Sequence, residues 1–140
     1  RFGDFPHYLP TKQWQNKDEL FTGWMLLSYR KPVAASSFRG VHAAANVTDE
    51  NPRSFWVAKS SSPGEWLTLD LGGPCEVRAV RVNFTDFKAG LYASDASVYT
   101  QFKLNHSLDG TNWLVLADLT KEKRDRPNAY LELPSLVRTR

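Results

Sequence analysis

Cysteine is nearly absent from this chain, since Cys75 is the only one in 140 residues. A single cysteine cannot form an internal disulfide, so the fold must depend on its core and hydrogen bonds rather than on a covalent crosslink. Long apolar runs are also missing, and none approaches the ~20 residues that a transmembrane helix needs. A domain of this length buries roughly two-thirds of its unfolded surface. We therefore expect one domain with a real core and no membrane span.

Uninterrupted basic stretches are missing as well. The net charge is +3, but the densest basic group, residues 121–126 (KEKRDR), is interrupted by Glu122 and Asp125. A nucleic-acid-binding surface usually carries a continuous basic stripe or patch. The charge pattern favours a solvated loop at 121–126 and argues against a nucleic-acid partner.

Catalytic motifs are the third absence. The sequence contains no GxSxG, no HExxH and no glycine-rich phosphate loop. The three histidines, at positions 7, 42 and 106, do not share a metal-ligand spacing. The acidic residues fall mostly in turns or at strand edges, where they cannot form a pair across a cleft. We predict that this chain has no active site of its own.

What is present is a repeated strand-and-turn pattern. Residues 65–71 (EWLTLDL) alternate with period two and place Leu67, Leu69 and Leu71 on one face, as expected of a strand over a core. Gly72-Gly73-Pro74 is a turn signal, after which residues 76–84 (EVRAVRVNF) predict the next strand.

The C-terminal half continues this pattern. Residues 109–112 (DGTN) predict a hairpin turn between strands at 102–108 and 113–116. Residues 130–133 predict a short strand that Pro134 ends, and another is expected from Val137 onward, which leaves open whether the last strand is complete. The best helical candidate, Val41 to Val47, is short. Many short strands without covering helices favour an all-β, two-sheet antiparallel sandwich.

The first 30 residues have a different texture. They begin with a proline-containing polar stretch and end in an apolar segment, FTGWMLLSY, at 21–29. We expect residues 1–30 to be a lead-in and linker and residues 31–140 to form the β-sandwich domain.

The loop at residues 49–56 (DENPRSFW) has two interpretations. Calcium binds six to eight oxygens, and Asp49, the Asn51 carbonyl and Ser54 could provide some of them. Alternatively, Asp49 and Ser54 hydrogen-bond the backbone of an Asx-type turn that Pro52 stiffens. The residues alone leave both interpretations open.

The order of these segments resembles the discoidin, or coagulation factor five/eight type C, domains, which include many carbohydrate-binding modules of bacterial glycosidases. The resemblance covers about residues 30–140. It rests on KPVAASS, AANVTDENPRSFWVAKS, GEWLTLDLGGPCEVRAVRVNF, FKLNHSLDGTNWLVL and VRTR, in that order. The resemblance implies a jelly-roll β-sandwich of the galactose-binding-domain type, with about eight strands.

In that family a stretch similar to DENPRSFW forms a calcium loop. The resemblance implies a structural calcium held by Asp49, Asn51 and Ser54. Glu50 departs from the pattern, because it replaces a glycine that such a tight loop often uses at positive φ. The acidic ligand that the family supplies near its C-terminus is expected beyond Arg140.

A galactose site of the family's usual type is not expected here. Val57 stands where galactose-binding members have a histidine, and Lys59 where they have an aromatic residue. Residues 83–87 (NFTDF) also lack the Pro-Arg pair. Aromatic stacking and charged hydrogen-bonding groups could form a different glycan site at the loop end of the domain. The candidates for such a site are Arg39, His42, Arg53 and Tyr92.

The lead-in is similar to the end of the catalytic domain in family 43 glycosidases of the xylosidase and arabinofuranosidase types. That resemblance covers only about 30 residues. It implies a non-catalytic, glycan-binding accessory module of a secreted or periplasmic bacterial glycoside hydrolase, with a plant polysaccharide as the expected ligand. Two alternatives remain. One is a purely structural module that packs on the catalytic domain, and the other is an adhesion or lipid-binding module that uses Phe38 and Phe55 at loop tips.

Overall fold

The computed structural model describes residues 25–85, 87 and 99–140. Within these ranges regular structure consists of six strands and one short 3-10 helix, and there is no α-helix. The elements are β1 (Val33–Ala35), the 3-10 helix (Ala44–Val47), β2 (Leu67–Leu69), β3 (Cys75–Asn83), β4 (Lys103–His106), β5 (Leu114–Asp118) and β6 (Asn128–Thr139).

All strand pairs are antiparallel, and the fold is an all-β jelly-roll sandwich, as the strand pattern predicted. Strand β1 pairs with β2, with Val33 opposite Leu69. Strand β3 pairs with β6, and β4 with β5. The helical candidate at 41–47 is reduced to the 3-10 helix, which begins at Ala44.

The alternation seen in the sequence determines which side chains face the interior. In β3, Val77 and Val82 are half-buried, whereas Arg78 and Arg81 are exposed. The most buried apolar side chains are Leu71, Ala129 and Leu133. Several small hydroxyl residues are buried with them, namely Thr48, Thr100, Ser107 and Thr139. Much of the interior is therefore closed by hydroxyl groups bonded to the backbone rather than by large apolar side chains.

Strand β6 does not end at Pro134, and this prediction was wrong. The strand runs from Asn128 to Thr139, but its register against β3 shifts between Val77 and Ala79. Val137 faces Val77 and Glu132 faces Ala79, so residues 133–136 form a bulge opposite Arg78. Proline cannot donate to a ladder, but within a bulge no ladder bond is required of it.

The hairpin turn between β4 and β5 is confirmed. Asp109 accepts hydrogen bonds from the backbone N–H groups of Asn112 (2.7 Å) and Thr111 (2.8 Å), while Gly110 takes a φ of +74°. The amide and hydroxyl donors of Asn112 and Thr111 hold the pKa of the Asp109 carboxyl well below its usual range. The carboxylate therefore stays charged and keeps the turn closed over the whole physiological pH range.

The sandwich has two ends, which position everything that follows. At the end where β3 finishes at Asn83, the segments next to β4, β5 and β6 also converge, because Phe84 N donates to Pro127 O and Leu119 N to Phe102 O. We call this the loop end. At the opposite end, which we call the terminal end, Arg140 N donates to Ser107 O.

Candidate functional site

The loop at 49–54 gathers three oxygen donors. Ser54 Oγ donates to Asp49 Oδ2 at 2.6 Å and lies 3.0 Å from the Asn51 carbonyl oxygen. The Asn51 backbone N–H donates to Asp49 Oδ1, which is the Asx turn expected of this sequence. Hydrogen bonds from Ser54 and from the Asn51 backbone lower the pKa of Asp49, so its carboxylate is charged at neutral pH.

This donor set fits a hard cation. It supplies one carboxylate, one carbonyl and one hydroxyl, the oxygen types that calcium prefers, although calcium takes six to eight ligands in all. Among the described residues no three His, Cys, Asp or Glu side chains cluster as a metal site. Any cation here would therefore be held by mixed oxygens rather than by the nitrogen and sulfur ligands typical of zinc.

Glu50 occupies the position where the family usually has glycine, and its φ is +58°. That conformation costs a residue with a Cβ about 1–2 kcal/mol. We predict that Glu50→Gly raises the free energy of unfolding by about 0.5 kcal/mol, because the relief of strain exceeds the extra entropy of glycine in the unfolded chain.

Glu50→Ala is the matched control, since alanine removes the carboxylate but keeps the Cβ. Chemical denaturation of both variants measures the difference. Equal stabilities of the Gly and Ala variants would contradict the strain argument.

Two of the predicted glycan residues, Arg39 and His42, are neighbours at the loop end. The His42 ring stacks on Phe55 with centroids 4.5 Å apart and meets the edge of Phe87 at 5.0 Å. Arg39 is exposed, and its Nη2 donates to the Lys59 carbonyl at 2.9 Å. His42 is thus packed within an aromatic cluster, which leaves Arg39 as the more accessible of the two.

The other two predicted glycan residues are not brought to this cluster. Arg53 is exposed and belongs to the 49–54 loop, where its backbone N–H donates to Asn51 Oδ1. Tyr92 lies outside the described residues. Phe55, considered above as an apolar loop tip, is half-buried against His42, whereas Phe38 is 51% exposed.

A shallow cleft of about 220 Å³ lies at the same end and was not predicted. Its lining residues are Phe84, Thr85, Tyr99, Thr100, Gln101, Asp125 and Pro127. We call it the loop-end cleft. The Tyr99 side chain is 47% exposed and Phe84 is 39% exposed, so the cleft offers aromatic surface to solvent beside polar groups.

The walls of the loop-end cleft are fixed by hydrogen bonds between distant segments. Thr100 N donates to the Arg124 carbonyl at 3.0 Å, and Arg126 N donates to Thr100 Oγ1 at 2.7 Å. Gln101 Nε2 donates to the Glu122 carbonyl at 2.8 Å. The segment before β4 is therefore held against the loop before β6, and the cleft between them is preformed.

A carboxylate supports the neighbouring loop that carries Lys59. Glu65 accepts hydrogen bonds from the hydroxyls of Ser36, Ser37 (2.7 Å) and Ser60 (2.8 Å). The Ser37 hydroxyl in turn accepts from Lys59 N at 2.9 Å. The three hydroxyls, Ser36 first, lower the pKa of Glu65 to about 2. We refer to this arrangement as the Glu65 hub.

A second cleft, of about 280 Å³, lies at the terminal end and includes Trp113, which is 47% exposed. Its charged groups already have partners. Arg140 Nε and Nη2 each lie 3.0 Å from an oxygen of Asp70, and Asp109 is occupied by the hairpin turn. The terminal-end cleft thus has an aromatic wall but fewer free hydrogen-bonding groups than the loop-end cleft.

Comparison with known proteins gives one family. The model of the F5/8 type C domain matches residues 32–137. No curated protein matches the chain. None of the helices in the described part of the chain is long and apolar enough to cross a membrane.

Several solved structures share the fold. Chitosan-binding module 2 of a chitosanase/glucanase from Paenibacillus sp. IK-5, in complex with chitotriose, has a TM-score of 0.65 at 18% identity and covers 81% of each chain. CpGH89CBM32-4 from Clostridium perfringens, in complex with GlcNAc-α-1,4-galactose, has a TM-score of 0.65 at 16% identity over 86% of this chain and 78% of that one. The family 32 carbohydrate-binding module of C. perfringens NanJ, in complex with galactose, has a TM-score of 0.59 at 13% identity over 79% and 77% of the two chains. At these identities the likeness establishes the fold.

Proposed function

We propose that this chain, which belongs to the F5/8 type C domain family, is a non-catalytic module that binds glycan in the loop-end cleft. The observation that carries the proposal is the juxtaposition of the half-exposed Tyr99 ring with Asp125 and Gln101 in one preformed cleft. Flat aromatic surface and fixed polar groups are what a sugar ring needs, because a pyranose has apolar faces and a hydroxyl rim.

Each wall of the cleft has a distinct part in this proposal. The Tyr99 and Phe84 rings provide the apolar contact, and Asp125, Gln101 and Thr85 provide hydrogen-bond partners for hydroxyls. Because Thr100 anchors the segment that carries Tyr99, little ordering entropy is lost on binding. The saccharide complexes of the structural neighbours support the class of ligand, although the loops of this chain are its own.

The experiment is a glycan array combined with affinity electrophoresis on plant polysaccharides. We expect retention on at least one neutral polysaccharide. Silence across the array and in every gel would overturn the proposal and favour the alternative of a structural module without a glycan ligand. Arg39→Ala and His42→Ala test whether the aromatic cluster extends the site, because a loss of binding in either variant would place the ligand across both clusters.

The proposal extends to the parent protein. We infer that the module is attached to a secreted or periplasmic bacterial glycoside hydrolase of the family 43 type, and that it acts by proximity. A tethered module raises the effective concentration of polysaccharide at a catalytic domain without any chemistry of its own. The flanking sequence of the full-length chain tests this, and an upstream domain without a pair of catalytic carboxylates would contradict it.

We also propose that residues 49–54 hold a structural calcium ion through Asp49, the Asn51 carbonyl and Ser54. Bound calcium would screen the Asp49 charge and crosslink the loop. A ligand that binds only the native state at 100 times its Kd raises the free energy of unfolding by about 2.7 kcal/mol. We therefore expect millimolar calcium to raise the melting temperature and chelation to reverse the shift.

Asp49→Asn is the discriminating variant, since asparagine keeps a hydrogen-bond acceptor for Asn51 N and Ser54 while removing the charge. It should fold but lose the calcium response. The absence of a melting shift in the unmodified protein at millimolar calcium would leave this loop a plain Asx turn.

A further inference from the structure

The loop-end cleft carries one charged side chain among its described lining residues, and it is negative. Asp125 lines the cleft together with aromatic, threonine, glutamine and proline residues. No lysine or arginine side chain belongs to the lining. The sign of the local charge is therefore opposite to the net charge of the chain, which is +3.

The Asp125 carboxylate is held in place but not consumed. Thr100 Oγ1 donates to Asp125 Oδ1 at 3.2 Å, and Thr100 itself is only 8% exposed. Oδ2 has no hydrogen-bond partner among the described residues, so it remains available to a ligand. An oxygen fixed at a cleft wall by a nearly buried threonine is a positioned acceptor rather than a mobile surface charge.

The nearest cation does not cancel this charge. Arg126 follows Asp125 in the chain, but its Nε lies 3.0 Å from Glu122 Oε2. The pairing of Arg126 with Glu122 leaves Asp125 as the local charge that a bound sugar would meet.

The second polar side chain of the cleft has the same hydrogen-bonding sense. The Gln101 amide N–H donates to the Glu122 carbonyl, so its own carbonyl oxygen Oε1 remains for a ligand. Asp125 Oδ2 and Gln101 Oε1 are both acceptors. A ligand must bring donors to them, and hydroxyl, acetamide N–H and ammonium groups qualify, whereas a carboxylate or sulfate does not.

We propose that the loop-end cleft is selective for pyranosides without negative charge, neutral or amino sugars, and that Asp125 is the residue that rejects uronic, sialic and sulfated sugars. This inference rests on the proposed function and specifies its ligand class. Two like charges about 5 Å apart near a protein surface repel strongly enough to weaken binding at least about tenfold. The net positive charge of the whole chain predicts the reverse preference, so the two explanations give opposite results.

The experiment uses a glycan array that presents neutral glycans next to their uronate or sulfated counterparts of the same linkage. One such pair is β-1,4-mannotriose and β-1,4-trimannuronate, and chitotriose with its N-acetylated form adds an amine. Titration calorimetry on the tightest pair then gives the ratio of dissociation constants. We expect the unmodified protein to prefer the uncharged or amino member at least about tenfold at low salt.

The test variant is Asp125→Asn, which keeps an acceptor for Thr100 but removes the charge. It should bind the neutral sugar within a few-fold of the unmodified protein and lose most of the discrimination against the anionic one. Glu76→Gln is the control, because it changes the net charge equally from an exposed position on β3 at the terminal end. It should leave the ratio unchanged.

Each remaining outcome overturns the proposal in a recognisable way. Equal binding of anionic and neutral members would refute the selectivity but leave glycan binding intact. A neutral preference that Asp125→Asn does not alter, or that Glu76→Gln alters equally, would refute the role of Asp125. Silence on all glycans would remove the proposed function together with this inference.

Discussion

Replacement of Tyr99 by alanine is expected to weaken glycan binding by roughly thirtyfold, or about 2 kcal/mol, the scale typical of an aromatic side chain at the centre of a binding site. The ring is half-exposed, so alanine removes contact surface from the ligand more than packing from the core. The backbone bonds of Thr100 to the loop before β6 are independent of the Tyr99 side chain. We therefore expect the variant to fold normally, and calorimetry or affinity electrophoresis measures the loss.

Trp113→Ala is the matched control, because Trp113 has the same exposed fraction of 47% but lies in the terminal-end cleft. Its replacement should leave affinity within a few-fold of the unmodified protein. If Trp113→Ala abolished binding while Tyr99→Ala did not, the glycan site would lie at the terminal end and the assignment made above would be wrong.

Local sequence patterns predicted the elements that depend on near neighbours. The alternation of Leu67 and Leu69, the turn at Asp109-Gly110 and the all-β class were all confirmed. The ordered combination of segments also predicted the family correctly. The positive φ expected at position 50 is present even though the residue is glutamate. These features depend on backbone geometry within a few residues, which residue type constrains directly.

The loop-end cleft was missed because it has no local signal. Phe84, Tyr99 and Asp125 come from three segments far apart in the chain, and only the pairing of β3 with β6 and of β4 with β5 brings them together. Asp125 was interpreted as part of a solvated charged loop. Periodicity identifies which face of a strand is apolar, but it does not identify which loops meet at the end of a sandwich.

Packing also changed the meaning of single residues. His42 was selected as a hydrogen-bonding candidate, but its ring is stacked between Phe55 and Phe87, contacts that no pattern in the sequence indicates. Pro134 was expected to end a strand, but it lies in a bulge whose position depends on the register against Arg78. In both cases the tertiary neighbour, rather than the residue type, determines the role.

The Glu65 hub predicts a defined dependence of stability on pH. The carboxyl has a pKa of about 2 in the folded chain against an ordinary value of 4.5. Because the folded value is the lower one, its stabilising contribution is fully present above pH 4.5 and is lost as the pH falls toward 2. Glu65→Gln should therefore be less stable than the unmodified protein at pH 7, since an uncharged amide cannot accept equally well from three hydroxyls.

The measurement is the difference in unfolding free energy between the two proteins at a series of pH values. That difference should be constant from pH 7 to about 4.5 and shrink toward zero as the pH approaches 2. The carboxyls of Asp109, Asp49 and Asp70 also have lowered pKa values, but they are common to both proteins and cancel in the difference. Glu132→Gln, at an exposed position on β6, is the control and should show no such narrowing.

The same variant connects the hub to the proposed site. Glu65 orients Ser37, which accepts from Lys59 N, and the Lys59 carbonyl accepts from Arg39. If Arg39 contributes to the glycan surface, Glu65→Gln lowers affinity in parallel with Arg39→Ala, whereas affinity in the Tyr99 cleft alone stays unchanged. A Glu65→Gln protein whose stability difference persists undiminished at pH 2 would show that the carboxylate charge is not what holds this loop.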